Sequence, residues 1–360
     1  MTKTEYMFKT FLSSILIFTI LLFISCSDDP EVKPNSLSVD DSNDNTLPAY
    51  FSGVFVINEG NFGSDDGSIS FIDSNGVVKN NIFSENNASR RLGDVVQSMY
   101  VNDSSAFILV NNSNKIEVVD TDEMTLLHTI SEVSLPRYMI SEGEYGYISE
   151  WVSFSDPGRI SILDLNTYEV LDTINVGFGA EALAIRDSKL YVSNNFENNL
   201  SVMDLRTNQI IQTISVGPSP AAMVKDKNGD LWVVCKGDYN ANNGSLVRLD
   251  SNDDLIQEIS LEMNVSGKLV TDKDSSTLYF YSGTTVYSYA LGAEIFNTFI
   301  ENTSAISFYG IGISPDGNMY IADSKGFQSQ GSVYVYDYVG QMKEEFEVGR
   351  GPNGFVFKSK

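Results

Sequence analysis

The feature that most constrains the fold is a sequence repeat that runs from Ala49 almost to the C-terminus. Short runs of alternating apolar residues end at intervals of 40 to 47 residues, and six of the seven end in aspartate. Seven units of this length predict a propeller or an array of repeats, because a single-core sandwich has no such period. The runs end at Asp73, Asp120, Asp164, Asp204, Asp250, Ala290 and Asp337.

Each unit has the pattern of four short strands. In the fourth unit, apolar and polar residues alternate over 180–186, 190–194, 200–204 and 209–216. Alternation with a period of two predicts strands, and no long stretch with a helical period competes with it. We therefore expect four-stranded blades and little helix.

The two ends of the repeat complement each other. The first unit starts abruptly at residues 54–58 without an inner strand, whereas residues 348–357 repeat the start of an inner strand with nothing after it. A C-terminal strand that completes the first blade would close the ring and remove the exposed edges of an open array. The sequence thus predicts an all-β fold over residues 49–360. It is a seven-bladed β-propeller with four-stranded blades, closed by the C-terminal strand joining the N-terminal blade.

The first 25 residues have the pattern of an export signal. Lys3 and Lys9 precede an uncharged run at 11–24, which is shorter than the ~20 residues of a membrane-spanning helix. Residues 23–26, Phe-Ile-Ser-Cys, resemble a bacterial lipobox. This resemblance implies that residues 1–25 are a lipoprotein signal peptide and that Cys26 becomes the lipidated N-terminus. An ordinary secretory signal that ends near a cysteine is the alternative.

Residues 26–48 contain six acidic residues against a single Lys33. So few apolar residues cannot cover a core, and the segment is predicted to be a lipidated, acidic, disordered tether. Residues 27–29, Ser-Asp-Asp, resemble the signal that sends lipoproteins of the Bacteroidetes type to the outer face of the outer membrane. The resemblance implies a cell-surface protein that meets the outer membrane through its lipid anchor only.

Charge and composition exclude several classes of function. The chain carries 48 acidic residues against 23 basic ones, a formal net charge of -25. Such an excess repels phosphate backbones, so no nucleic-acid partner is expected. One histidine cannot build a multi-histidine metal site, and two cysteines cannot build a disulfide scaffold. We therefore expect no metal site, no cofactor and no catalytic residues.

Several conspicuous residues have structural explanations. The aspartates that end the runs precede turn residues, so each is expected to accept backbone N–H bonds within its own turn. His128 occupies a solvated outer-strand position, and Cys235 is expected to be a small buried hydrophobe. Residues 226–230 and 314–318 look like calcium loops, but they lie where hairpin turns demand the same residue types.

The links between the second and third strands carry the functional signal. Five of them are long, and each places an aromatic side chain beside amides or glycines. Propeller topology brings these links to one face, together with the starts of the inner strands. Exposed rings gathered there favour a large, flat, amphipathic ligand, although each ring could instead pack against its own blade. The predicted ligand-binding residues are Asn61, Phe62, Arg137, Tyr138, Trp151, Phe154, Asn194, Asn195, Phe196, Tyr239, Asn240, Tyr309, Phe327 and Gln328.

The fourth unit shows most clearly which known repeat the sequence resembles. Residues 191–195 read Tyr-Val-Ser-Asn-Asn, and with residues 200–207 and 211–218 they resemble the consensus of the YVTN (YncE-like) β-propeller repeat. The resemblance covers residues 51–357, with blades three and seven matching in part and blade six degenerate. It is specific for the fold and weak for function, because propellers support many unrelated activities.

A second resemblance implies a function. Residues 56–63, Val-Ile-Asn-Glu-Gly-Asn-Phe-Gly, resemble surface-exposed propeller lipoproteins of gut Bacteroidetes. The cobalamin-binding members of that group cap a TonB-dependent outer-membrane transporter. The resemblance implies that this chain captures cobalamin or a related corrinoid on its loops and passes it to such a transporter without catalysis.

Two other classes of function stay open. An adhesin or scaffold would bind glycan or protein through the same loops. A propeller lactonase or lyase would need histidine, arginine and glutamate on the rim of inner strands, where the sequence offers only Arg137 and Glu181.

Overall fold

The computed structural model describes residues 49, 50 and 52–358. Within this part of the chain, seven four-stranded antiparallel sheets follow one another. The predicted seven-bladed β-propeller is therefore confirmed. The predicted signal peptide, the lipidated Cys26 and the acidic tether lie outside the described residues.

Each blade begins with an inner strand at the central channel and ends with an outer strand at the rim. In that order, blade one consists of β28 (Pro352–Lys358), β1 (Gly53–Asn58), β2 (Ser68–Asp73) and β3 (Val78–Lys79), and blade two of β4 (Val96–Asn102), β5 (Ser105–Val110), β6 (Lys115–Asp120) and β7 (Leu126–Ile130). Blade three consists of β8 (Pro136–Glu142), β9 (Tyr145–Glu150), β10 (Arg159–Asp164) and β11 (Val170–Asn175), and blade four of β12 (Ala180–Arg186), β13 (Lys189–Asn194), β14 (Asn199–Asp204) and β15 (Gln209–Ser215).

Blades five to seven have the same order. Blade five consists of β16 (Pro220–Lys225), β17 (Leu231–Cys235), β18 (Ser245–Leu249) and β19 (Leu255–Ser260). Blade six consists of β20 (Val270–Thr271), β21 (Thr277–Ser282), β22 (Thr285–Ala290) and β23 (Asn297–Glu301). Blade seven consists of β24 (Phe308–Ile313), β25 (Met319–Asp323), β26 (Ser332–Tyr336) and β27 (Met342–Glu347). The described chain has little helix: α1 (Ile82–Asn86) and two 3-10 turns, Asn111–Ser113 and Lys325–Phe327.

The C-terminal strand closes the ring as predicted. β28 pairs antiparallel with β1, with Val54 opposite Phe357 and Val56 opposite Phe355. Blade one is thus built from both ends of the described chain, which gives the closure that an open array of repeats lacks.

The core lies between neighbouring blades. The four central residues of β6 are buried, whereas nearly every residue of the outermost strand β15 is exposed. The middle strands are buried on both faces because a blade packs against each side of them, so their apolar residues stabilise the ring. Trp232 is fully buried in this way, and its Nε1 donates a hydrogen bond to Asp226 Oδ2 at 3.0 Å.

The two faces of the ring differ in their connections. One face, called the turn face below, carries the turns between first and second strands and between third and fourth strands. The other, called the loop face, carries the long links between second and third strands and the starts of the inner strands. On the turn face, each run-ending aspartate accepts a backbone N–H from its own turn, as predicted: Asp73, Asp120, Asp164, Asp204, Asp250 and Asp337.

Candidate functional site

Irregular pairing at the start of the inner strands turns side chains towards the channel. In blade three, Pro136 pairs with Glu150 and the register then shifts to Met139 opposite Ile148, which leaves Arg137 in a bulge. Bulges of this kind re-aim a side chain and are common next to functional sites. Similar shifts precede or follow the corresponding residues of five other blades, and blade six contributes Lys268 just before β20. The resulting positions are Gln97, Arg137, Glu181, Ala221, Lys268, Tyr309 and Asn353.

A second set of positions lies directly after the second strand of each blade. Two asparagines of this set join neighbouring blades: Asn111 Nδ2 donates to the Pro136 carbonyl at 3.1 Å, and Asn195 Nδ2 to the Pro220 carbonyl at 2.9 Å. Both sets border a cavity of about 460 Å³ at the loop-face end of the channel, which we call the mouth. From the second set, the mouth is lined by Glu59, Asn111, Trp151, Asn195 and Lys236.

A buried ion pair crosses one side of the mouth. Arg137 Nε and Nη2 donate to the two carboxylate oxygens of Glu181, each at 2.8 Å. Trp151 Nε1 donates to the same carboxylate at 2.9 Å, and the guanidinium of Arg137 lies 3.9 Å from the centre of the Trp151 ring. Burial alone would lower the pKa of Arg137, but the Glu181 carboxylate outweighs it and the pKa is raised. Arg137 therefore stays charged, and two of its donors are satisfied by Glu181.

Glu59, the acidic residue on the opposite side of the mouth, also has hydrogen-bond partners. Tyr309 Oη donates to Glu59 Oε2 at 2.8 Å, and Asn353 Nδ2 lies 3.4 Å from the same oxygen. Burial, together with the neighbouring Glu59 charge, raises the pKa of Tyr309. The phenol therefore stays protonated and acts as a donor.

Two lysines complete the polar lining. Lys236 Nζ donates to Asn195 Oδ1 at 2.9 Å, and Lys268 Nζ donates to Tyr138 Oη at 3.2 Å. Burial lowers the pKa of Lys236, while Glu181 opposes this shift and Arg137 adds to it. Below the mouth, a further cavity of about 300 Å³ has a mainly apolar lining, which also includes Tyr138, Glu181 and Lys268.

Three aromatic rings form a shelf beside the ion pair. The centre of the Trp151 ring lies 5.7 Å from that of Phe154 and 4.9 Å from that of Phe196, and the last two rings stack at 6.2 Å. Phe154 is nevertheless 76% exposed and Phe196 43% exposed. We call Trp151, Phe154 and Phe196 the aromatic shelf. It presents an apolar surface directly above a charged lining.

A glycine makes room for the shelf. Gly179 has a φ of +71°, and a Cβ on it would lie 2.7 Å from the ring of Phe196. Any other residue would strain the backbone and displace the ring. The Gly-Phe-Gly sequence at 177–179 is thus the local signal for the shelf.

Phe62 faces the shelf across the mouth, and a carboxylate holds its loop. Phe62 is 75% exposed and lines the mouth. The two carboxylate oxygens of Asp94 share the Gly63 N–H, at 3.0 and 2.9 Å, and one of them accepts Asn112 Nδ2 at 2.5 Å. Asp94 is therefore a positioning residue for Phe62, and it was not among the residues predicted from the sequence.

The other predicted binding residues are spread more widely. Tyr138 and Asn195 line the mouth with Arg137 and Tyr309, whereas Phe327 packs edge-on against Tyr309 with ring centres 5.1 Å apart. Asn194 is fully buried and its amide donates to Asn199 and Ser201, so it belongs to the interior of blade four. The exposed residues that do not line the mouth are Asn61, Tyr239, Asn240 and Gln328.

Part of the lining was missed by the sequence pattern. Glu59, Gln97, Asn111, Lys236 and Lys268 were not among the predicted binding residues, and all five line the mouth. Glu59, Asn111 and Lys236 each follow the second strand of their blade directly. Aligning that single position across the repeats could have found them.

The residues with structural explanations lie where they were expected. His128 is exposed on β7, and its ring stacks on that of Tyr168 with centres 5.5 Å apart. Cys235 is buried, and burial raises the pKa of its thiol to about 12. Residues 226–230 form a hairpin turn in which Asp226 accepts the Asn228 N–H at 2.7 Å. In residues 314–318, Ser314 Oγ accepts the Asn318 N–H at 3.1 Å.

Neither a metal cluster nor a membrane-spanning helix occurs among the described residues. They contain no group of three or more histidine, cysteine, aspartate or glutamate side chains that could hold a metal ion. No helix in the same part of the chain has the length and apolar character needed to cross a membrane.

The fold and its lined mouth define a seven-bladed β-propeller with a polar cavity on its loop face. Residues 52–357 match the family described as "Domain of unknown function (DUF5074)", and the chain belongs to that family. No curated protein matches it.

Solved structures with the same fold are distant in sequence. A quinonprotein alcohol dehydrogenase-like protein from Bacteroides thetaiotaomicron has a TM-score of 0.69 at 15% identity, covering 86% of this chain and 79% of that one. The periplasmic gluconolactonase of Pseudomonas aeruginosa has a TM-score of 0.67 at 13% identity, covering 85% and 99%. A functionally unknown protein from Desulfotomaculum acetoxidans has a TM-score of 0.66 at 11% identity, covering 85% and 98%. At such identities the likeness shows the fold alone.

Proposed function

We propose that the chain is a non-catalytic binding protein that captures a large, flat, amphipathic molecule at the mouth. The aromatic shelf is the observation that carries this proposal. Phe154 is 76% exposed beside a lined cavity of about 460 Å³, and an apolar ring left in water at such a place favours a surface that a ligand covers. Phe62 offers a second ring on the other side of the mouth.

The particular ligand that we propose is cobalamin or a related corrinoid. A corrin macrocycle has broad apolar faces and a rim of amide side chains. Its face would stack on the aromatic shelf, and its amides would meet the amides of Gln97 and Asn111 and the phenol of Tyr138. The macrocycle would lie across the opening, with its smaller substituents directed inwards.

The proposed setting is the outer surface of an outer membrane. It rests on the lipobox-like sequence that ends at Cys26 and on the Ser-Asp-Asp that follows. A lipid-anchored propeller there would hand its ligand to a TonB-dependent transporter, and the acidic tether would give it the freedom to do so.

Catalysis is not part of the proposal, because both carboxylates of the mouth already accept hydrogen bonds from other residues of its lining. Arg137 is held by Glu181, and Glu59 by Tyr309. The single histidine of the chain stacks on Tyr168 at an outer strand. The Pseudomonas relative is a gluconolactonase, and lactone hydrolysis is therefore the activity to assay as a control.

Calorimetric titration of the purified chain with cobalamin tests the proposal. We expect binding of one cobalamin per chain, with the corrinoid recovered unchanged and no hydrolysis of gluconolactone. Absence of heat at high micromolar cobalamin would remove the corrinoid proposal and favour an adhesin or scaffold. Turnover of the lactone would contradict the non-catalytic assignment.

A further inference from the structure

The acidic and the basic residues that line the mouth differ in their ion-pair and hydrogen-bond partners. Its lining contains three basic residues, Arg137, Lys236 and Lys268, and two acidic ones, Glu59 and Glu181. Arg137 neutralises Glu181, and Glu59 accepts hydrogen bonds from neutral groups. In a chain with a net charge of -25, this cavity therefore has a positive balance.

Neither lysine has an acidic partner in the part of the chain that the structure describes. No carboxylate among the described residues lies within ion-pairing distance of Lys236 or Lys268. Each ammonium makes one hydrogen bond inside the protein, to an amide oxygen or a phenol. Because an ammonium carries three N–H donors, both lysines retain donors for a ligand.

Both lysines line the mouth, together with Gly267. A Cβ on Gly267 would lie 3.2 Å from Cδ of Lys236, so the Lys236 side chain runs across the backbone beside Lys268. The absence of a side chain at Gly267 makes room for the stem of Lys236. Burial lowers the pKa of Lys236, because it disfavours the charged form of the ammonium group.

We infer that Lys236 and Lys268 form a subsite for a phosphate ester group of the ligand. Lysine binds phosphate as a point charge, whereas the planar fork of arginine suits a carboxylate, and Arg137 is already paired with one. The inference rests on the proposed function in taking the mouth as the ligand site. It adds that the ligand carries a phosphate, as the nucleotide loop of cobalamin does.

Lysine footprinting on the unmodified chain tests the subsite without a corrinoid. Acetylation by an N-hydroxysuccinimide ester is followed at each lysine by mass spectrometry, with phenyl phosphate or with phenol as its neutral counterpart. We expect phenyl phosphate to slow acetylation of Lys236 and Lys268 by roughly tenfold at about ten times its dissociation constant. Phenol should protect neither lysine, and the exposed turn-face Lys227 should be unprotected by both. Equal acetylation with and without millimolar phenyl phosphate would overturn the subsite.

A corrinoid pair separates failure of the subsite from failure of the proposed function. Cobalamin has the phosphodiester, and cobinamide lacks it. We expect Lys268→Met to weaken cobalamin binding by roughly tenfold while leaving cobinamide affinity unchanged, and Lys227→Met to change neither. Equal losses for both corrinoids would overturn the subsite and leave the proposed function standing. If neither corrinoid binds the unmodified chain, the corrinoid proposal fails and the phenyl phosphate footprint decides the subsite alone.

Discussion

Two buried arginine–carboxylate pairs lie at opposite faces of the propeller, and they differ in what surrounds them. On the loop face, Arg137 pairs with Glu181 at 2.8 Å beside the mouth. On the turn face, Arg186 pairs with Asp253 at 2.5 Å, and Asp253 also accepts hydrogen bonds from Tyr191 at 2.5 Å and Lys189 at 2.6 Å.

The turn-face network is closed, in the sense that its central ion pair has almost no contact with solvent. The side chains of Arg186 and Asp253 are 6% and 1% exposed, and Arg186 also donates to the Leu249 carbonyl at 3.2 Å. Burial would raise the pKa of Asp253, but hydrogen bonds from Lys189, Tyr191 and Arg186 outweigh it and lower the pKa. Burial and the bond to Asp253 raise the pKa of Tyr191 to about 12. The network joins blades four and five.

The loop-face pair is open on one side. It lies beneath the aromatic shelf and borders a cavity of about 460 Å³. The same kind of ion pair is therefore enclosed between blades at one face and borders a cavity at the other. A buried ion pair thus indicates a binding site only where its surroundings leave room.

The largest expected effect comes from the closed network. Asp253→Asn leaves Arg186 and Lys189 without their carboxylate, so we expect the free energy of unfolding to fall by about 3–5 kcal/mol. Cobalamin affinity of the folded variant should not change. Chemical denaturation and calorimetric titration measure the two quantities. Asp65→Asn is the matched control, because its pair with Arg91 is exposed and should be worth less than about 1 kcal/mol.

A substitution in the aromatic shelf should lower cobalamin affinity and leave stability almost unchanged, the reverse of the pattern expected for Asp253→Asn. Trp151→Ala removes the ring that contacts both Phe154 and Phe196, so we expect cobalamin affinity to fall by about 2 kcal/mol, or roughly thirtyfold. The melting temperature should change little. Tyr239→Ala is the control, since Tyr239 is 93% exposed and does not line the mouth. Unfolding of Trp151→Ala with unchanged affinity in the folded fraction would show that the ring is core.

The open pair should matter less for stability than the closed one. Arg137→Gln leaves Glu181 with the Trp151 donor and access to water from the mouth, so we expect a loss of about 1–2 kcal/mol in unfolding free energy. Denaturation of this variant beside Asp253→Asn compares the two faces directly. A larger loss for Arg137→Gln than for Asp253→Asn would reverse the comparison.

Detaching the Phe62 loop should have a smaller effect on binding. Asp94→Ala removes the acceptor for the Gly63 N–H, and we expect cobalamin affinity to fall by about 1 kcal/mol. Asp94→Asn retains an acceptor and should lose less. Equal affinity of all three proteins in calorimetric titration would show that Asp94 does not position Phe62 for binding.

The smallest effect concerns pH. The pKa of Asp253 is lowered in the folded state, so its contribution to stability is present above the unfolded value of ~3.9 and is lost as the pH falls through the folded value. The difference in unfolding free energy between the unmodified chain and Asp253→Asn should therefore narrow below about pH 4. A difference that stays constant down to pH 2 would contradict the assignment.

The fold was predictable because the same pattern of strands and turns occurs in one repeat after another. Each turn aspartate and the missing inner strand of the first unit are local signals, and the pairing of β28 with β1 follows from them. The aromatic residues of the loops were predicted for the same reason. Tyr239 and Asn194 show the limit: a loop position does not say whether a side chain points to the mouth, to solvent or into the blade.

The charged lining was harder to predict. Lys236 and Lys268 are 32 residues apart in sequence, and an isolated lysine is typical of a solvated surface. Bulges at the inner strands decide which residues reach the channel, and a bulge shifts the alternation that a sequence pattern relies on. The composition of the lining thus depends on bulges in the strands, which the repeat pattern does not reveal.

Amide hydrogen exchange with and without cobalamin would locate the ligand on one face or the other in a single experiment. If the mouth is the binding site, exchange slows on the loop face, at residues 59–67, 150–158 and 194–199, and stays unchanged on the turn face at 226–230, 250–254 and 314–318. Protection confined to the turn face, or no protection at saturating cobalamin, would contradict binding at the mouth.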